Sequence, residues 1–252
     1  MSGHSKWANI KHRKAAQDSK RGNLFQKLIK GIIIAAKEGG GDPGMNVRLK
    51  AALERAKAAS VPADNITRAI KRGTGELDGV SYEELTYEGY GVDGVAIICE
   101  ALTDNRNRTT PEIRAILERN GGSMGTSGSV AWMFERKGNI TIEGEVDEDQ
   151  LMEDAMDAGA DDVEVSEEAA TVSTDASAVL EIRDALEKKG YKVTDAESIF
   201  SPKTTVAISN ADKARKMLKL IDLLECHDDI QNVYANFEFT DEVNTALADD
   251  ED

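Results

Sequence analysis

GNITIEGEVDEDQLMEDAMDAGADDVEVSEEAATVSTDASAVLEIRDALEKKGYKVTDAESIF, residues 138–200, switches between two hydrophobic periods. Alternation of period two predicts strands over 139–143, 163–166, 170–174 and 191–200; stripes at i, i+3, i+4 predict helices over 147–158 and 176–189. That order, βαββαβ, is the order of ferredoxin-like folds. From Gly138 to Ile182 there is no Lys or Arg, against fifteen Asp and Glu. Such a stretch cannot grip phosphate by charge, and its acids lack the spacing of a calcium loop.

On either side a second pattern is interrupted by the first. YEELTYEGY (82–90) and GVAIICEAL (94–102) read as strands paired across the turn GVDG, and VAWMFE (130–135) reads as another strand. After residue 200 come a helix with Ala214, Met217, Leu218, Ile221 and Leu224 on one side and a strand in VYANFEF (233–239). Residues 80–137 and 201–240 are therefore expected to form one discontinuous α+β domain carrying 138–200 as an acidic insertion. Residues 241–252 are an acidic tail, with ADDED at its end expected to be disordered.

Two loops of that domain are candidate contact segments. In TDNRNRTTPEIRAILERNGG (103–122), Thr110 and Pro111 suit a helix start, which leaves Arg106 and Arg108 on a polar loop where guanidinium groups can hold phosphate. The alternative is a capping loop whose arginines pair with local acids. In GGSMGTSGS (121–129), a helix cap explains Gly121 but not Gly122, Met124, Gly125 or Gly128. A loop of that composition lets backbone approach a ligand, with Met124 exposed on it; the alternative is a plain connector.

Residues 23–75 read as a basic helical domain. Phe25, Leu28, Ile29, Ile32, Ile33 and Ala36 form one apolar stripe, and Lys20, Lys27, Lys30 and Lys37 fall on the opposite face. GGGDPG (39–44) ends the helix, with Gly39 suited to the left-handed cap; without Gly-Lys-Ser/Thr and a preceding strand it is no phosphate loop. A second helix over 46–59 completes an antiparallel hairpin, and a third begins at Pro62. Before them, residues 1–22 form a basic arm in which Lys6, Lys11, Arg13, Lys14, Lys20 and Arg21 are interleaved with Trp7, as phosphate neutralisation and base stacking require. The alternative is a solvated, frayed terminus.

Charge divides the chain the same way. Residues 1–75 hold sixteen Lys and Arg against five Asp and Glu, a balance of +11; the remainder carries −27, for a net −16. A concentrated basic segment in an acidic chain points to nucleic acid as partner. No apolar run reaches membrane-spanning length, and two cysteines give neither a disulfide framework nor ligand spacing, so the expected setting is cytoplasmic, with no membrane, metal or cofactor. No nucleophile with its base and no cofactor fingerprint is visible, so no enzymatic activity is expected. Nothing in the sequence assigns an oligomeric state.

GHSKWANIKHRK (3–14), GGGDP (39–43), YEGYG (87–91), DNRNRT (104–109) and GGSMGTSGSVAW (121–132), five motifs in order across nearly the whole chain, resemble the YebC family of bacterial regulatory proteins. The resemblance implies a helical N-terminal domain followed by two α+β domains, one inserted in the other. It also implies regulation of gene expression through nucleic acid: DNA in most members, as transcriptional regulators, with translation as the alternative. Mitochondrial relatives activate translation, and some bacterial branches act on ribosomes stalled at proline-rich sequence, so ribosomal RNA is the second candidate target.

Overall fold

The computed structural model describes residues 18–166 and 169–248. Among the described residues three helices come first, α1 (Asp18–Gly39), α2 (Val47–Ala58) and α3 (Ala63–Gly73), then β1 (Glu83–Tyr90), β2 (Ala96–Thr103), α4 (Arg106–Arg119) and β3 (Ser123–Met124). There follow β4 (Phe134–Glu143), α5 (Glu148–Asp157), β5 (Asp162–Val165), β6 (Ala169–Asp175), α6 (Val179–Lys188) and β7 (Val193–Pro202). The chain closes with β8 (Val206–Ile208), α7 (Ala211–Glu225), β9 (Ile230–Ala235), β10 (Phe237–Phe239) and α8 (Asp241–Ala248). This is a mixed α and β chain of N-terminal helices followed by α+β structure. The described residues divide into two compact units, 18–130 with Asn210–Val233, and Ala131–Ser209 with 234–248.

In the first unit the apolar stripe of α1 becomes core. Ile32, Ile33 and Ala36 are buried against Leu49, Leu53 and Ala56 of α2 and Ala69 of α3, with Phe25, Leu28 and Ile29 partly buried beside them. Each fully buried aliphatic side chain stabilises such a cluster by about 1.5–3 kcal/mol. The turn between α1 and α2 is closed by Asn46. Its Nδ2 donates to the carbonyls of Ala35 at 2.7 Å and Gly40 at 2.9 Å, while its Oδ1 accepts from Leu49 N at 3.0 Å. One side chain thus satisfies the end of one helix and the start of the next. The left-handed residue is Gly40, at φ +83, rather than the expected Gly39.

The sheet of this unit runs in the order β3-β1-β2-β9. β1 and β2 form the antiparallel hairpin, with Tyr87 opposite Cys99. β2 is buried at successive positions, Ala96 to Cys99 and Ala101 to Thr103, so both of its faces are covered.

The second unit holds the ferredoxin-like module. Its sheet has the order β5-β6-β4-β7 with every neighbouring pair antiparallel, the arrangement that βαββαβ connectivity requires. Ile140, Ile142, Val172, Leu151, Ile182 and Leu186 form the core between one sheet face and helices α5 and α6. One expectation is corrected here. The segment 130–135 is not a separate strand: Ala131–Met133 is a turn of 3-10 helix, and β4 starts at Phe134 and runs unbroken to Glu143. The acidic tail is helical over Asp241–Ala248, with Val243 buried, because that segment has an apolar side to cover; the disorder expected for ADDED falls, from residue 249 on, outside the described residues.

Candidate nucleic-acid interface

Asn105, not Thr110, starts α4. Its side chain accepts from Arg108 N at 3.2 Å, so Arg106 and Arg108 belong to the first helical turn and Pro111 lies inside the helix. An Asn two residues after the end of a strand outcompetes a later Thr-Pro because the cap can form as soon as the strand ends. The proline's missing donor falls opposite the carbonyl of Asn107, an exposed residue. Two residues apart on a helix, Arg106 and Arg108 point to nearly opposite sides. Arg106 is exposed and has no carboxylate partner among the described residues. Arg108 turns inward to Asp229.

Asp229 is the hub of this region. Its side chain is 2% exposed, and its carboxylate meets Lys30 Nζ at 2.7 Å and Arg108 at 2.6 Å. Thr109 and Thr103 donate to it at 2.7 and 3.2 Å. Burial by itself would raise the pKa of this carboxyl, but the hydrogen bonds from Lys30, Thr109 and Arg108 outweigh it and hold the group well below the usual carboxylate range. Lys30 was expected on the outer face of α1; it is buried, because the far end of the chain supplies the carboxylate that covers it. Lys27 donates to Glu225 O at 2.6 Å, a cation on the C-terminal carbonyls of α7, where the helix dipole favours it. His227 accepts from Asp229 N on Nδ1 and therefore donates through Nε2 to Glu112, 3.1 Å away.

The glycine-rich segment is held in place rather than loose. Glu88, buried in β1, accepts from Gly128 N at 2.6 Å and Val130 N at 2.7 Å through its two carboxylate oxygens, and its own carbonyl accepts from Gly125 N at 2.8 Å. Ser123 and Met124 pair with Tyr90 and Gly89 as β3, which leaves Met124 half-buried and not exposed as expected. A side chain at Gly122 would collide with the carbonyl of Tyr90, one at Gly125 with Ser129, and Gly128 stands at φ +83. Close packing and turn geometry account for these glycines; Thr126 and Ser127 are the exposed tip.

The candidates gather unequally. Lys27, Lys30 and Arg108 meet around Glu225 and Asp229, whereas the glycine-rich segment follows the opposite end of α4, about 20 Å away by helical rise. Lys20 and Arg21 fall in the first turn of α1, and Lys6, Trp7, Lys11, Arg13 and Lys14 lie outside the described residues. Lys50 and Lys57 of α2 and Lys71 and Arg72 of α3 are exposed, without carboxylate partners among the described residues. Asp229 and Glu88, which order the region, carried no local sequence signal.

Among the described residues no group of three or more His, Cys, Asp or Glu is placed to hold a metal ion, and no helix is long and apolar enough to cross a membrane. Burial, with the nearby charge of Glu225 adding to it, pushes the Cys99 thiol up to about 12, far from a reactive thiolate.

Comparison with known proteins adds relatives along the whole chain. Residues 5–76 match the TACO1/YebC protein N-terminal domain, and residues 82–237 match the TACO1/YebC second and third domain. A probable transcriptional regulatory protein of Dictyoglomus turgidum is 56% identical over 250 residues, spanning 98% of this chain and all of that one. A protein of the same description from Geobacter sulfurreducens is 54% identical over 242 residues, 96% of this chain and 98% of its own. The crystal structure of a conserved hypothetical protein from Aquifex aeolicus superposes with a TM-score of 0.88 at 46% identity, covering 94% of this chain and 98% of that one. The chain belongs to the TACO1/YebC family.

Proposed function

We propose that this protein is a non-enzymatic regulator of gene expression that binds nucleic acid, DNA first, through its basic arm, the outer faces of α1–α3 and the exposed Arg106. The observation that carries the reading is the segregation of charge: +11 in residues 1–75 against −27 in the rest. Exposed Lys50, Lys57, Lys71 and Arg72 sit on helices, so phosphate contacts there require no ordering of the backbone. The relatives described as probable transcriptional regulatory proteins favour DNA over RNA as the physiological target.

The test is titration of the full chain against duplex DNA and against ribosomal RNA fragments over a series of salt concentrations. The reading expects log affinity to fall linearly with log salt, with a slope of about −0.9 per phosphate neutralised on duplex DNA. Tighter binding to rRNA at every salt concentration, with co-sedimentation on ribosomes, transfers the role to translation. Absence of binding to either polymer at low salt refutes nucleic acid as partner.

A further inference from the structure

We propose that the turn between α1 and α2 is an apolar tip that inserts against the base faces of a bound nucleic acid; the inference rests on the nucleic-acid reading above. Met45 is 84% exposed and Val47 63%, more than any other large apolar residues of the described chain except Trp132 in the other unit. The tip is preorganised. Asp42 accepts from Gly44 N at 2.9 Å through its side chain and from Met45 N at 3.1 Å through its carbonyl, and Asn46 locks both flanking helices.

Two exposed cations, Lys50 and Lys71, flank it. Lys50 lies one turn along α2 from Val47. Gly41 is so close to α3 that an added Cβ would meet Thr74 at 2.9 Å and Ile70 at 3.1 Å, which brings Lys71, next to that face, toward the tip; Arg72 points to the other side, against Gly79. Of the acids at this end, Glu38 and Glu84 are paired with Arg48; Asp42, hydrogen-bonded to Gly44 N, and Glu76, to the Thr74 hydroxyl, keep their charge, as does exposed Asp78 in the loop after α3. An apolar point flanked by the exposed cations Lys50 and Lys71 suits a polymer that alternates apolar faces with phosphates. Rigid presentation lowers the cost of insertion.

The experiment compares wild type with Met45→Ser, Val47→Ser and the double variant on duplex and single-stranded oligonucleotides of DNA and RNA scanned with 2-aminopurine. The double variant is expected to lose about tenfold in affinity with an unchanged salt slope, together with the 2-aminopurine response. Lys50→Gln and Lys71→Gln are expected to reduce the slope by about one each. Both apolar positions are exposed, so melting temperature should not move, and it is measured to confirm this. Unchanged affinity and fluorescence in the double variant overturn the inference while the nucleic-acid reading survives. An effect confined to anionic vesicles or to a protein partner overturns it as well. If wild type binds none of the oligonucleotides, both fall.

Discussion

Lys30 Nζ and Asp229 Oδ1 lie 2.7 Å apart although 199 residues separate them in sequence. The pair joins α1 to the segment that leads into β9, and the other oxygen of the same carboxylate receives Arg108 from α4. Three elements are therefore positioned by one buried anion.

Asp229→Ala is expected to destabilise the first unit by about 3–5 kcal/mol, because it leaves Lys30 buried without a counter-charge. Lys30→Met should cost less, since Asp229 keeps Arg108 and two threonines. Urea unfolding of the three proteins gives the ranking; equal midpoints would refute the hub.

Acid should weaken this unit through the same group. Because the folded protein holds the Asp229 proton more weakly than the unfolded chain does, the stabilisation is complete above the unfolded value of about 3.9. It is lost as pH falls below that value and through the lower folded one. Asp229→Asn should flatten the corresponding part of the stability curve between about pH 5 and pH 2, read by denaturant melts at each pH.

Glu88→Gln should loosen the 125–130 segment, because an amide offers one acceptor where the carboxylate offers two and turns an NH2 toward a backbone NH. A loss of about 1–3 kcal/mol is expected, with faster hydrogen exchange at Gly128 and Val130. Gly122→Ala should also lower the melting temperature, through the carbonyl of Tyr90. Unchanged exchange in Glu88→Gln would mean that the backbone bonds alone hold the segment.

Arg106→Ala and Arg108→Ala should separate binding from stability. The first removes an exposed cation and is expected to weaken DNA binding with no change in melting temperature; the second also removes a ligand of Asp229 and should cost about 1 kcal/mol of stability. Deleting residues 1–17, which carry four cations, should lower the duplex-DNA salt slope by about 3–4 units and leave the helical circular dichroism of the remaining chain in place. A slope indifferent to the deletion would remove the arm from the interface.

Neutralising Glu145, Glu148, Glu153 and Asp157, all exposed on the ferredoxin-like module, should raise nonspecific DNA affinity by relieving repulsion within a Debye length of about 10 Å at 0.1 M salt. If the same variant loses ribosome association, the acidic module is a docking surface for basic protein segments, and translation becomes the leading role.

The periodic elements were legible from sequence, and the long-range ones were not. The stripe of α1 and the βαββαβ order each repeat often enough to outweigh single residues, and the strand order β5-β6-β4-β7 follows from that connectivity. Lys30 misled because a helical wheel assigns it to the outer face and cannot see a carboxylate arriving from residue 229. Pro111 misled in another way: a proline suits a first turn, yet Asn105 offered an earlier cap and the helix formed through the proline. Glu88 looks in sequence like any other residue of its strand, since the two backbone NH groups it serves lie 40 and 42 residues downstream.

The first unit is completed only by Asn210–Val233, so during synthesis it waits while all of Ala131–Ser209 is made. That interval is roughly 80 residues, about 4–16 s at ~5–20 residues per second. Throughout it, β2 lacks its neighbour β9 and presents an unpaired strand edge, while Lys30 has no anion to meet. The α1–α2 hairpin needs only local chain and can close at once around Asn46. The nascent protein therefore spends seconds with a finished basic hairpin and an open sheet edge, the interval in which a chaperone or a second nascent chain has access to it.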